Sequence, residues 1–237
     1  MNIYALMNST APQKVIHLLI TRVFIPAVLI IGATARIFTW WQNRSLLIDE
    51  ANLARNFCEK RWSEFFSPLS YDQFAPPLFS VTCKLVTRIF GNTEFSLRAF
   101  PLLCGLMSLL LFFHIARQLI SNNWILLITV WIFSFSEMQL RYSTECKQYI
   151  CDVTVALFIV AYIIWQSKHD FNARFAAILG IVIPWLSMPA LFILTGAGIV
   201  FLRNAWAAND RRAIIRVSVV GALWLLNFAI YYLIVIR

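Results

Sequence analysis

The chain has 237 residues, of which 60% are hydrophobic and only 13% charged. No water-soluble domain of this size could stay monomeric with that balance, so the composition excludes an ordinary soluble globular protein and makes the bilayer the solvent. The formal net charge of +9 would suggest nucleic acid in a soluble chain. Here the cations fall mostly between apolar runs, where they report topology, and no nucleic-acid partner is expected.

About 20 apolar residues cross the hydrocarbon as a helix. Residues 15 to 35 carry one charge, Arg22, and Trp40 and Trp41 follow like an interfacial aromatic belt. This predicts a first span over 15–41. It is longer and less cleanly tripartite than a cleavable signal peptide, and is read as retained. Residues 42–97 then form one long, aromatic-rich loop. Within it, 76–90 is apolar but carries Lys84 and Arg88 one helical turn apart, a pattern that predicts a helix lying in the interface.

Further uncharged runs cover 99–116, 122–136, 153–167, 175–202 and 217–236. A transmembrane β-barrel would need alternating polarity, and runs such as 109–113 show none. The expectation is an all-α polytopic transmembrane protein, a single integral membrane domain over 1–237 with its further spans in 98–237.

The positive-inside rule places Arg117, the 168–174 segment, Arg203, Arg211, Arg212 and Arg216 in the cytoplasm. The N-terminus is then inside, and both the first loop and residues 137–149 are extracytoplasmic. Residues 175–202 must begin and end inside, yet 28 residues are too few for two full spans. Pro184 and Pro189 bracket 185–188, which predicts two short helices meeting at a break, or a re-entrant hairpin. Cys58, Cys83, Cys104, Cys146 and Cys151 have no zinc-ligand spacing and receive no role. His17, His114 and His169 read as structural.

Three groups of polar residues are not explained by the membrane. Asp49 and Glu50 are paired carboxylates at the headgroup level, where a carboxylate facing a cleft can take a proton from an attacking hydroxyl. The plainer reading is an Asp capping a helix over 50–60. The second group is the polar island 137–149, in which Glu145 and Lys147 could meet Asp49 across one cleft while Arg141, Gln148 and Tyr149 add donors. Here the plain alternative is a solvated loop. Finally, Arg98 opens the second span, where a guanidinium can hold a phosphate through two parallel bonds or simply snorkel. Pro76 and Pro77 fix the chain where the loop turns into the interfacial helix.

In their order along the chain, Asp49-Glu50, the 71–79 stretch Tyr-Asp-Gln-Phe-Ala-Pro-Pro-Leu-Phe, residues 91–98 and the 143–149 stretch Ser-Thr-Glu-Cys-Lys-Gln-Tyr resemble a known pattern. Over roughly 15–165 the chain resembles the N-terminal part of GT-C glycosyltransferases of the dolichyl-phosphate-mannose protein mannosyltransferase and aminoarabinose transferase type, family 39-like. The resemblance implies an acidic residue implicated in catalysis at Asp49 with Glu50 beside it, and an acidic and a basic residue of the next outer loop at Glu145 and Lys147. The family often has Arg at the Lys147 position, so charge is kept and the fork is lost. Some relatives carry a basic residue or histidine at the Ala75 position, which leaves phosphate binding to Arg98 or Lys147. Family members usually continue further, so the resemblance also implies a missing C-terminal part.

The implied activity is inverting transfer of a sugar from a polyprenyl-phosphate donor to a hydroxyl of a protein, lipid or glycan acceptor. It would take place at the outer face of a bacterial plasma membrane, with no metal and no other cofactor. The competing expectation is a non-catalytic transporter or assembly subunit whose broken segment near Pro184 and Pro189 lines a substrate path.

Overall fold

The computed structural model of the protein describes residues 11–236, and within that range it is helical with no strand. The expected inward N-terminus concerns residues outside this range. The first span opens as α1 (Ala11–Leu19), passes through a π-helical turn (Ile20–Phe24) and continues as α2 (Ile25–Trp41). Pro26 explains the turn: it has no N–H to return to the preceding turn, and a widened turn just before it absorbs the lost bond.

The loop is built from α3 (Ile48–Glu59), a 3-10 turn (Trp62–Phe66) and α4 (Pro77–Phe90). The remaining helices are α5 (Glu94–Leu119), α6 (Asn123–Phe135), α7 (Glu137–Tyr142), α8 (Tyr149–Gln166), α9 (Ala173–Leu186), α10 (Ala190–Ala207) and α11 (Arg211–Tyr231). Five segments are long and apolar enough to cross a membrane: Val15–Trp41, Glu94–Leu119, Tyr149–Gln166, Ala190–Ala207 and Arg211–Val235. Two shorter apolar helices, α6 and α9, stand among them. The chain is a multi-pass, all-α membrane protein.

The two short helices shape the bundle. Both begin at the end where Lys168 bonds Gln118 (2.8 Å), and both finish at the end that carries the loop. With 13 and 14 residues they rise about 20 Å, against a hydrocarbon core of about 30 Å. The polar residues that follow them therefore lie about 10 Å short of the far hydrocarbon boundary, beneath the loop. Ser136 turns extended (ψ 125) to end α6. Ser187 (ψ 110) ends α9, and α10 restarts after Pro189.

The expected shortage of residues in 175–202 is resolved because the helices do not stop at the charges. α9 and α10 include Arg174 and Arg203 and extend beyond the uncharged run at both ends. Pro184 lies inside α9 instead of ending it. It leaves the Gly180 carbonyl without its usual donor, and Asn227 of α11 donates to that oxygen at 3.0 Å. Trp185 Nε1 in turn donates to Asn227 Oδ1 (3.1 Å), and Trp224 Nε1 to the Ala176 carbonyl (3.0 Å). In lipid such inter-helix bonds matter because no water satisfies the broken ladder.

Arg36, one residue beyond the run that carries only Arg22, is fully buried in the first span. Its Nη1 donates to the carbonyls of Gly32 and Ser134, both at 2.9 Å, tying α2 to the last turn of α6. Gly32 permits this approach: a Cβ there would lie 2.9 Å from Ser134 Cβ. A cavity of about 620 Å³ lies at the end away from the loop, with largely apolar walls that include Leu110, His114, Phe158 and Trp165.

Gly180 faces the Trp224 ring so closely that any side chain would overlap it. Because Trp224 is buried and bonded, Gly180→Ala is expected to lower stability by about 1–3 kcal/mol. Gly196→Ala, which meets nothing within 4 Å, is expected to cause no loss. Thermal unfolding of the two variants in detergent checks the contrast.

Candidate functional site

The loop folds onto α5 through an aromatic core. Phe57 packs on Phe65 and Phe79 (6.3 and 6.4 Å), Phe79 on Phe100 (5.7 Å), and Trp40 on Phe95 (4.9 Å). Lys84 does not face headgroups as the spacing with Arg88 suggested. Its ammonium turns back to the end of α3, donating to the carbonyls of Phe57 (2.8 Å) and Lys60 (2.6 Å), where a cation also suits the helix dipole. Left-handed backbone at Tyr71 (φ 65) and Asp72 (φ 51) turns the tip of the loop toward the bundle. Glu59 accepts from the Tyr71 hydroxyl (2.7 Å) and Arg55 lies over its ring (4.1 Å), holding that turn in place.

Glu50 is the hub. Only 1% exposed, its carboxylate accepts five hydrogen bonds. Arg98 supplies two, Nε to Oε1 and Nη2 to Oε2, each 3.1 Å. Arg44 Nη1 (3.0 Å) and the backbone N–H groups of Leu47 (3.1 Å) and Cys146 (2.8 Å) supply the others. Arg98, itself 2% exposed, spends its remaining contacts on the carbonyls of Arg44 (2.6 Å) and Ser45 (3.3 Å). Burial pushes the Glu50 carboxyl up, but the Arg98 bonds and the two backbone donors outweigh it, and its pKa falls below the ordinary value.

This arrangement corrects two expectations. Glu50 is not a free carboxylate beside a base, and Arg98 is not a clamp waiting for phosphate. They form a buried, bidentate, fully partnered ion pair that fastens the start of α3 to α5.

Asp49, by contrast, is exposed. Because α3 starts at Ile48, Asp49 lies inside the first turn, and the free N–H at the helix start, that of Leu47, is taken by Glu50 and not by Asp49. The capping role is therefore not what holds it. Among the described residues nothing hydrogen-bonds its carboxylate. The Cys146 N–H to Glu50 bond brings the two outer segments together: Asp49 is one residue from Glu50, and Glu145 and Lys147 are one residue on either side of Cys146.

Glu145 and Lys147 are buried. Arg141 Nε meets Glu145 at 2.6 Å and Arg44 Nη2 meets it at 3.5 Å. The Arg44 and Arg141 side chains are 36% and 53% exposed, so both remain reachable from outside. Lys147 Nζ donates to Gln73 Oε1 (2.7 Å) and Gln148 Nε2 to the Phe74 carbonyl (3.2 Å), which fastens the loop tip to the head of α8. Tyr149 is half open and packs at a tilt against Tyr142, ring centroids 4.8 Å apart. Pro76 and Pro77 are buried at the start of α4, where Pro77 needs no N–H partner.

Arg44 and Asp152 escaped sequence reasoning. Arg44 looked like one more loop cation. Asp152, a carboxylate in the first turn of an apolar helix, carried a signal that was available, because an ionisable residue inside a span marks function by default.

No family model, no curated protein and no solved structure matches this chain.

Removing Glu50 leaves Arg98 buried and unpaired, so Glu50→Ala is expected to destabilise by about 3–5 kcal/mol. The pH dependence has a definite sign. With its pKa depressed in the folded state, Glu50 contributes stability above the unfolded glutamate value of about 4.3, and loses it as pH falls through its own lower value. Melting temperatures of the wild type and Glu50→Gln should stay separated from pH 7 to about 5 and converge below about 4.

Proposed function

We propose that the protein is a membrane glycosyltransferase that moves a sugar from a polyprenyl-phosphate donor to an acceptor hydroxyl. The supporting observation is the bond from Cys146 N–H to Glu50 (2.8 Å). It holds the backbone next to an exposed carboxylate, Asp49, against the segment that carries the buried Glu145 and Lys147. This combination suits a donor whose lipid lies in the bilayer and whose sugar must be shielded from water. The family resemblance of the motifs adds to the case.

In this reading Asp49 accepts the proton of the acceptor hydroxyl as its oxygen attacks the anomeric carbon on the face opposite the phosphate. The bond from the anomeric carbon to the phosphate oxygen breaks, its electron pair leaves with the polyprenyl monophosphate, and the configuration inverts. Lys147, with Arg44 and Arg141 at the rim, offsets the charge that develops on the leaving oxygen. Arg98 has no free part to play in that step, and acts by holding Glu50. Glu145 sets the orientation of Arg44 and Arg141. The acceptor is a protein, lipid or glycan hydroxyl, and the loop faces the extracytoplasmic side of a bacterial plasma membrane, with Arg117, Arg174, Arg203 and Arg211 at the opposite end.

The break between α9 and α10 favours a second reading, a transporter or assembly subunit with an interrupted helix lining a path. Release of polyprenyl phosphate that depends on an acceptor excludes it. A chain that binds the donor without releasing that product fits an inactive, truncated transferase.

The experiment is transfer by the purified protein in nanodiscs, offered a panel of polyprenyl-phosphate sugars. Asp49→Asn is expected to retain its fold and lose at least about 100-fold in turnover. Unchanged turnover in a folded Asp49→Asn protein removes Asp49 from the reaction, and the proposed chemistry with it.

A further inference from the structure

The cavity at the end of the bundle away from the loop has a volume of about 620 Å³, within the range of about 300–1,000 Å³ typical of ligand sites. Its walls follow helical spacing. α5 contributes positions 107, 110, 111 and 114, α8 contributes 158, 161, 162 and 165, and Asn172 and Phe175 close it from the start of α9. Leu110, Phe158 and Trp165 are 56%, 41% and 47% exposed, so the cavity opens sideways between helices, where lipid surrounds the protein.

Water is a poor occupant, because a bound water needs about 2–4 polar partners. The Tyr162 hydroxyl is spent on Gln166 Oε1 (3.0 Å), and Asn172 Oδ1 accepts from the Phe175 N–H (3.1 Å). The rest of the wall, His114 excepted, is apolar. A hydrocarbon chain from the bilayer fills it without leaving any polar group unpaired.

The next turn of each wall changes character. On α5 the spacing continues from His114 to Arg117 and Gln118, and on α8 from Trp165 to Lys168 and His169. Lys168 Nζ donates to Gln118 Oε1 at 2.8 Å, a bond that spans the two walls and stations an ammonium at their ends. His169 stacks on Trp165, ring centroids 4.5 Å apart. Arg174 follows in the first turn of α9, at the helix end that carries positive partial charge. Arg117, Lys168 and Arg174 are exposed, and none has a carboxylate within ion-pair distance among the described residues. Snorkelling explains cations at helix ends. It does not explain a cavity whose walls lead into them, and the two features together match one molecule with an apolar tail and a negative head.

We propose that this cavity is a binding site for an anionic phospholipid of the leaflet at that end. One acyl chain lies in the cavity and the headgroup phosphate meets Lys168, with Arg117 and Arg174 flanking it. A zwitterionic lipid would fill the space and leave these cations uncompensated. The polyprenyl donor of the transfer reaction is a different molecule, because its phosphate belongs at the loop end of the bundle. The lipid site stands independently of the transferase reading.

The test is native mass spectrometry of the full chain released from nanodiscs containing equal amounts of phosphatidylglycerol and phosphatidylcholine with the same acyl chains. The wild type is expected to retain one phosphatidylglycerol per chain, preferred over phosphatidylcholine by about tenfold or more. Ala161→Phe places a ring in the cavity and is expected to lose the retained lipid, with Met107→Trp as the filling variant should the first not fold. Arg117→Gln combined with Lys168→Gln is expected to keep one lipid and lose the preference. Melting temperatures verify that each variant is folded. Equal retention of the two lipids by the wild type, unaltered retention in a folded filling variant, or an unaltered preference in the double variant overturns the proposal. So does displacement of phosphatidylglycerol by an equal amount of polyprenyl phosphate, which would give the cavity to the donor's tail.

Discussion

A carboxylate and a guanidinium can be taken out of water together only if each finds a full set of partners, and Glu50 and Arg98 do so. Five donors converge on the Glu50 carboxylate, and Arg98 completes its own set on the carbonyls of Arg44 and Ser45. Because those donors come from the loop, from α5 and from the segment before α8, one carboxylate joins three parts of the chain that are far apart in sequence. The buried pair contributes specificity of placement more than net stability, since an apolar replacement of equal shape could be as stable and would join none of them.

The depth of the site follows from helix length. α6 and α9 stop short of the thickness of the hydrocarbon, so the polar segments 137–149 and 187–189 occur below the surface, and the loop covers them. Water-exposed charge at that depth would be costly. The structure answers with paired groups where the role is to hold the chain, as at Glu50 and Arg98, while buried Arg36 spends Nη1 on two carbonyls and leaves Nε and Nη2 without partners among the described residues. Arg44 and Arg141 stay partly open at the rim. This division between fully partnered and accessible charge separates residues that position the site from residues that could act in it.

Much of the architecture was legible because the bilayer imposes one rule, an apolar run per helix, and the runs are plain. The alternatives that remained open around 175–202 came from treating charges as helix ends. Arg174 and Arg203 lie inside helices at the bundle's rim, where their long side chains can reach water. The approach of the first loop to the 143–149 segment was also anticipated. The roles within it were not: sequence shows that two acidic residues are adjacent, but which one points inward depends on where α3 begins. A start at Ile48 turns Glu50 inward and leaves Asp49 outside. Likewise, Arg36 became visible only when Gly32 brought Ser134 within its reach, a matter of helix packing that residue spacing does not encode.

The most direct test of this account is hydrogen exchange of the protein in nanodiscs, comparing wild type with Glu50→Gln. If Glu50 fastens the loop to the bundle, backbone amides over 44–60 and 143–149 lose protection together in the variant, while those of α8 and α11 keep theirs. Undiminished protection over 44–60 in the variant would contradict the account, because the aromatic core alone would then be holding the loop.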